Sequence, residues 1–268
     1  MLIAQFSDTH VKPKGDPLFG VMDTHAMLDA ALTRMLSREP QPDIAVVTGD
    51  LTADGRPEEY EALRALLAPL PMPWYLIPGN HDDRANLRAA FPGQPWGDGE
   101  FLHYTVEDTP LRLIALDTVI PGASGGQLCP RRLDWLAARL GEAPERPTAI
   151  LMHHPPFVTG IDHMDRMGLQ DSTGIARIVA SHNQVVRILC GHIHRPIQTT
   201  LSGVPVSVAP STCFQVELRL IDMPGITRTR EPPAYQLHVW GSEGSLVSHT
   251  AYVEDFGVWE RPASRAGS

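Results

Sequence analysis

Seven side chains in this sequence could hold metal: Asp8, His10, Asp50, Asn80, His153, His192 and His194. Such a mixture of carboxylate, amide and imidazole donors exceeds what one four-coordinate zinc ion takes. Two cations sharing a bridging carboxylate is therefore the natural count. Oxygen and nitrogen donors without thiolate suit Mn, Fe, Co or Zn. Cations held this way attract a small anion and activate water as a nucleophile. Taken singly, each residue has a plainer explanation. Asp8 and Asp50 could be turn residues or helix caps, Asn80 a turn former and His153 a satisfied histidine. Their coincidence at the ends of five apolar strands carries the reading.

The strands come first because they must deliver these groups. Leu2–Phe6 runs into Ser7-Asp8-Thr9-His10, Ile44–Thr48 into Gly49-Asp50, and Trp74–Ile77 into Pro78-Gly79-Asn80-His81-Asp82. Ala149–Met152 ends in His153-His154, and the apolar run containing Val185, Val186, Ile188 and Leu189 ends in Gly191-His192-Ile193-His194. On an extended chain residues i and i+2 share a side, so His192 and His194 can face one pocket. In proteins of alternating strands and helices, ligands collect beyond the carboxyl ends of the strands. Between the strands lie helical stripes: Leu28, Leu32, Met35 and Leu36 behind a cap at Asp23 or Thr24; Tyr60, Leu63, Leu66 and Leu67 after Pro57; and Leu133, Leu136, Ala137 and Leu140 after Pro130. A further helix is predicted over about 172–180. Phe101–Val106 and Leu111–Leu116 read as a hairpin or meander, and 157–170 as a loop. Short strands follow at 197–201, 204–208, 235–239 and 246–253.

Composition narrows the class. With 268 residues and 43% hydrophobic content, the chain can bury a sizeable core. It has no apolar run long enough to span a membrane, and its N-terminus reads as a strand, which makes the cytoplasm the expected location. The three cysteines, Cys129, Cys190 and Cys213, are widely spaced and suggest reduced thiols rather than a disulfide frame. A net charge of −9 argues against an extended nucleic-acid surface.

The set Asp8-x-His10, Gly49-Asp50, Gly79-Asn80-His81-Asp82, His153 and Gly191-His192-x-His194 resembles, in content and order, the calcineurin-like metallophosphoesterase superfamily. The likeness covers roughly residues 1–210. Gly55–Tyr60 and Ile77–Asp83 look like its class III cyclic nucleotide and glycerophosphodiester phosphodiesterases. The resemblance implies an α/β fold, a four-layer αββα sandwich, with a catalytic domain over 1–200, a small β-rich cap over 201–261 that makes dimers or larger assemblies, and a frayed tail over 262–268. It also implies Asp8, His10, Asp50 and His194 on one metal, and Asp50, Asn80, His153 and His192 on the other. Leu51-Thr-Ala-Asp-Gly55 departs from the protein phosphatase pattern. Ala53 stands where purple acid phosphatases place a metal-bound tyrosine.

The implied activity is hydrolysis of a small phosphodiester by a hydroxide bridging two divalent ions. Cyclic AMP is expected ahead of glycerophosphodiesters, whose enzymes tend to carry histidine at the position of Phe214. A phosphomonoesterase or nucleotide pyrophosphatase on the same site is the remaining enzymatic alternative. His81, beside Asn80, is the candidate for stabilising the transition state or protonating the leaving oxygen, its other reading being an orienting residue. Asp50 and Asn80 share the catalytic set, and His81, Asn80 and His194 are expected to touch substrate. His154 is expected to orient its neighbours. His163, Asp165 and Arg166 form either a substrate lip or a solvated loop, and Arg195 meets either a phosphate or a nearby carboxylate.

Overall fold

A computed structural model of the chain describes residues 1–221 and 225–259. The expected tail at 262–268 lies outside them. In chain order the elements are β1 (Leu2–Phe6), α1 (Thr24–Leu36), β2 (Ile44–Thr48), α2 (Pro57–Leu67), β3 (Trp74–Ile77), α3 (Arg84–Ala90), β4 (Tyr104–Val106) and β5 (Arg112–Leu116). There follow β6 (Gly126–Gln127), α4 (Pro130–Gly141), β7 (Thr148–Met152), α5 (Asp162–Asp165), β8 (Leu169–Gln170), α6 (Thr173–Ala180) and β9 (Val185–Cys190). The last are β10 (Ile197–Leu201), β11 (Val204–Val208), β12 (Gln215–Val216), β13 (Arg228–Thr229), β14 (Ala234–Trp240) and β15 (Leu246–Tyr252).

Two sheets carry the architecture, in the orders β15-β14-β1-β2-β3 and β10-β11-β9-β7-β5-β4. Side chains on a strand alternate between faces, and each sheet here buries both. From β1 and β2, Ile3, Ile44 and Val46 turn inward to meet Leu113, Ala149, Leu151 and Leu189 of the other sheet. Their neighbours Ala4, Phe6, Ala45 and Val47 pack outward on Leu28, Leu32, Met35 and Leu63 of α1 and α2. On the far side Ile114, Ile150 and Ile188 meet Leu136, Leu140, Ile175 and Val179 of α4 and α6. The result is the expected αββα layering. Each fully buried leucine or isoleucine contributes roughly 1.5–3 kcal/mol of apolar burial.

The stretch expected as a cap is rich in strands, and the two sheets recruit most of them. β11 pairs in parallel with β9, and β14 pairs antiparallel with β1, Ile3 opposite His238. The cause is β1 itself. It is almost wholly buried, with β2 along only one edge, so its other edge needs a partner for its backbone groups. Among the described residues of this stretch, the β12–β13 pair is the β-structure outside both sheets. No described helix is long and apolar enough to cross a membrane. Cys129, Cys190 and Cys213 are free thiols.

Candidate metal centre

β1, β2 and β3 run parallel, as do β5, β7, β9 and β11, so their carboxyl ends open on common ground. Asp8, His10, Asp50 and His194 bring one ligand atom each to within 4.8 Å of one another, all four residues buried. His153, His154 and His192 form a second such group. Asp50 reaches both: its Oδ2 lies 3.8 Å from His10 Nε2 and its Oδ1 3.3 Å from His153 Nε2. Asn80 Oδ1 lies 3.2 Å from His153 Nε2. All seven donors are thus brought together.

The backbone bends sharply to make this possible. Asp8, His10, Asp50, His192 and His194 all have positive φ, between 42° and 73°. Side chains rarely adopt that region, and each such residue costs on the order of 1 kcal/mol or more. Compensation comes from fixed partners: the His192 amide donates to both Asp8 carboxylate oxygens at 3.0 Å, and the His81 amide donates to Asp50 Oδ1 at 2.9 Å. Gly191 lies so close to Ser7 and Asp8 that a Cβ would fall 2.0 Å from Ser7 Oγ, so only glycine fits.

Backbone carbonyls define the protonation of the imidazoles. A carbonyl only accepts, so the ring nitrogen facing it carries the proton and the other keeps its lone pair in the neutral ring. His153 Nδ1 faces Thr48 O at 2.8 Å and His194 Nδ1 faces Phe214 O at 2.9 Å, which leaves Nε2 of each for a cation. His192 Nε2 faces Met167 O at 2.9 Å, which leaves Nδ1 as the nitrogen with the lone pair. His154 is different. Its Nε2 faces Ser124 O at 3.1 Å, leaving Nδ1 to accept from the Thr118 hydroxyl at 2.7 Å. Both nitrogens are engaged, and the ring packs 4.5 Å from that of His192. This agrees with an orienting role.

Electrostatics favour a cation. Burial raises the Asp8 carboxyl, yet His194 and His153 outweigh it and hold the acid below its ordinary range. Asp50 lies well below that range because His153, His81 and His10 overcome its burial. Burial lowers His10 to about 3 and His192 to about 4, so both are neutral. His153 is raised to about 9, Asp50 prevailing over burial. The carboxylate field that keeps a proton on His153 would equally keep a metal ion there.

Several further contributors lie outside the seven predicted donors. Ser211 Oγ donates to the Asp8 carbonyl at 2.8 Å and Cys213 Sγ approaches the same oxygen at 3.3 Å, bracing the first bend. Asp82 accepts from the amides of Leu51 and Gly79 and from the Tyr60 hydroxyl, tying the β2 loop to the β3 loop. Asp117, just beyond β5, holds Arg84 through two hydrogen bonds of 2.6 and 2.8 Å. Of the residues left with two readings, Arg195 pairs with Glu231, and Asp165 is consumed by Thr159 and Gly160 within its own loop.

Two stacked sheets with buried carboxylates and imidazoles converging on a shared aspartate define a binuclear-type phosphoesterase scaffold. The match to the calcineurin-like phosphoesterase family spans residues 1–196, and the chain belongs to that family. It is 37% identical over 258 residues to the probable glycerophosphodiester phosphodiesterase GpdQ of Arcobacter nitrofigilis, covering 96% of this chain and 94% of that one. It is 32% identical over 268 residues to the 3′,5′-cyclic adenosine monophosphate phosphodiesterase CpdA of Pseudomonas aeruginosa, covering 100% and 95%. A dimetal phosphatase from Danio rerio shares the fold, with a TM-score of 0.62 at 15% identity and coverage of 95% and 99%.

Proposed function

We propose that this protein hydrolyses small phosphodiesters at a paired divalent-metal centre, with 3′,5′-cyclic nucleotides, cyclic AMP above all, as substrates. The observation that carries the reading is the convergence of the seven predicted donors, with the tautomers of His153, His192 and His194 set by backbone oxygens. Asp8, His10, Asp50 and His194 would hold one ion, and Asp50, Asn80, His153 and His192 the other. Mn, Fe, Zn and Co all suit these donors. When bound, such a pair supplies Lewis acidity that lowers the pKa of water and neutralises phosphoryl oxygens.

The chain's own residues do the rest. Asp50 spans both donor groups and fixes their spacing. His81 donates Nδ1–H to Ala53 O at 2.7 Å, and its ring stands edge-on to His10 at 4.7 Å, which leaves Nε2 as the nitrogen available to the cavity it lines. Against burial, the Asp50 carboxylate raises the imidazole above its ordinary range, so Nε2 can carry a second proton with which to stabilise charge on the transferred phosphoryl group or to protonate the departing alkoxide. Asn80, His81 and His194 line the same cavity and would contact substrate.

Support for a cyclic nucleotide comes from the relatives named for that activity and from Phe214, whose ring lies 4.4 Å from that of His194, tilted by 33°. Glycerophosphodiester hydrolysis is the second reading, favoured by the 37% identity to GpdQ. We place the enzyme in the cytoplasm, in keeping with its free thiols, and expect a homo-oligomer. Hydrolysis of bis(p-nitrophenyl) phosphate against the monoester, with and without Mn²⁺, tests the activity. Cyclic AMP, cyclic GMP and glycerophosphoethanolamine compared side by side test the substrate. A protein that cleaves none of them with any of the four metals overturns the proposal.

A further inference from the structure

The cavity above the metal donors has two unlike ends. Its floor is polar, with Asp50, Asn80, His81 and His192, while its outer wall includes Phe19, Phe214 and Arg228. The Phe19 and Phe214 rings sit 6.2 Å apart and are tilted by 59°, forming an aromatic corner. Arg228, on β13, fills that corner, its Cζ 4.3 Å from the Phe19 centroid and 5.3 Å from that of Phe214. Phe214 in turn lies against His10 and His194, so one phenyl ring separates the guanidinium from the metal donors. The side chain of Arg228 makes no ion pair or hydrogen bond with any described residue. Among the described residues its five N–H donors are therefore uncommitted, and the guanidinium is held against two aromatic rings.

Two consequences follow from this chemistry. A corner of phenyl faces is what a quaternary or primary ammonium would occupy by cation–π attraction, and here the protein's own cation already occupies it. A substrate arm that bears positive charge meets repulsion there, and selectivity often comes from such a built-in clash. A flat, neutral arm rich in acceptors, such as a purine, finds instead a plane to stack on and donors to receive.

Resting on the phosphodiesterase reading, we infer that Arg228 selects the organic arm of the diester: it admits a nucleobase and rejects a cationic head group such as choline or ethanolamine. Phe19 and Phe214 position it. The test compares Mn²⁺-loaded wild type with Arg228→Met and Arg228→Lys, using cyclic AMP and glycerophosphocholine. In Arg228→Met the ratio of kcat/KM for cyclic AMP to that for glycerophosphocholine should fall by about tenfold or more, through a higher KM for the first and a lower KM for the second. Arg228→Lys keeps the charge and should still reject choline while binding cyclic AMP less tightly. Calorimetric binding of AMP and phosphocholine to the same proteins reads the preference without turnover, and metal content by mass spectrometry checks that the centre is intact. A change of less than about fivefold in Arg228→Met, in both the kinetic and the binding ratio, overturns the assignment. If wild type cleaves no diester, the activity reading fails, and the AMP-to-phosphocholine binding ratio still decides the role of Arg228.

Discussion

His10 Nε2 lies 3.1 Å from His194 Nε2, and the two rings are tilted by 32° to each other. His194 Nδ1 faces the Phe214 carbonyl, so in the neutral ring the nitrogen turned toward His10 is the one with the lone pair, and burial keeps His10 itself neutral. Asp8 Oδ1, 3.3 Å from His194 Nε2, adds a further acceptor. A convergence of acceptors without a cation is costly in a buried site. Five donor residues at positive φ add to that cost.

Removing divalent ions should therefore destabilise the fold as well as abolish turnover. An ion present at about 1,000 times its dissociation constant contributes about 4 kcal/mol, which for a chain of this size is on the order of 10 °C in Tm. Differential scanning calorimetry before and after chelation measures it. An unchanged Tm would show that the donors are stable without their cations.

Gly79 should tolerate no side chain. A Cβ there would fall 2.1 Å from the Asp50 amide nitrogen and 2.3 Å from Asp50 Oδ1, neither of which can move without displacing the carboxylate that reaches both His10 and His153. Gly79→Ala should lower metal content to one ion or fewer per chain and cost about 2 kcal/mol or more of stability through overpacking. Metal analysis alongside urea denaturation separates the two effects. Full occupancy with unaltered stability would contradict the placement of Asp50.

How much of this was legible in the sequence depends on the range over which each feature is specified. The strand ends were legible because an apolar run followed by Gly-Asp, Gly-Asn or Gly-His is a local pattern, and Gly49, Gly79 and Gly191 are close-approach points the fold needs. α3 was missed although Asp83 caps it by accepting from the Asn86 amide. Its one fully buried side chain, Leu87, makes no periodic stripe. The pairing of β14 with β1 could not be read at all, since alternation marks both as strands but says nothing of partners more than 230 residues apart. The Phe19–Phe214–Arg228 corner had the same defect: Phe214 stood out in the sequence, but Phe19 and Arg228 join it only after the chain has folded.

His81 is expected to act on substrate rather than on metal. Its Nδ1 is committed to Ala53 O, and its amide braces Asp50 whatever the side chain. His81→Ala should reduce kcat by more than about tenfold while leaving two ions bound. Stopped-assay turnover and metal analysis on one preparation check both halves. Unchanged turnover would remove the role, and lost metal would reassign His81 to holding Asp50 in place.

His238 should make the two-sheet core sensitive to acid. Gln5 Nε2 donates to Thr48 Oγ1 and to the Cys190 carbonyl in the opposite sheet, so its Oε1 accepts from His238 Nε2–H at 2.9 Å. His238 Nδ1 then accepts from the Ser248 hydroxyl at 2.7 Å. The chain of bonds uses the neutral imidazole, and burial, with Arg187 assisting, depresses His238 to about 3. The unfolded histidine titrates near 6.5, so between that value and about 3 the unfolded state binds a proton that the folded state does not. Stability is therefore full above 6.5 and falls as the pH drops, at up to about 1.4 kcal/mol per pH unit from this residue. His238→Gln can keep a donor toward Gln5 and has no group that titrates here. Urea unfolding of the two proteins between pH 7 and 4 should show the variant less stable at neutral pH but with a shallower decline. Parallel declines would mean that the acid sensitivity resides in other groups.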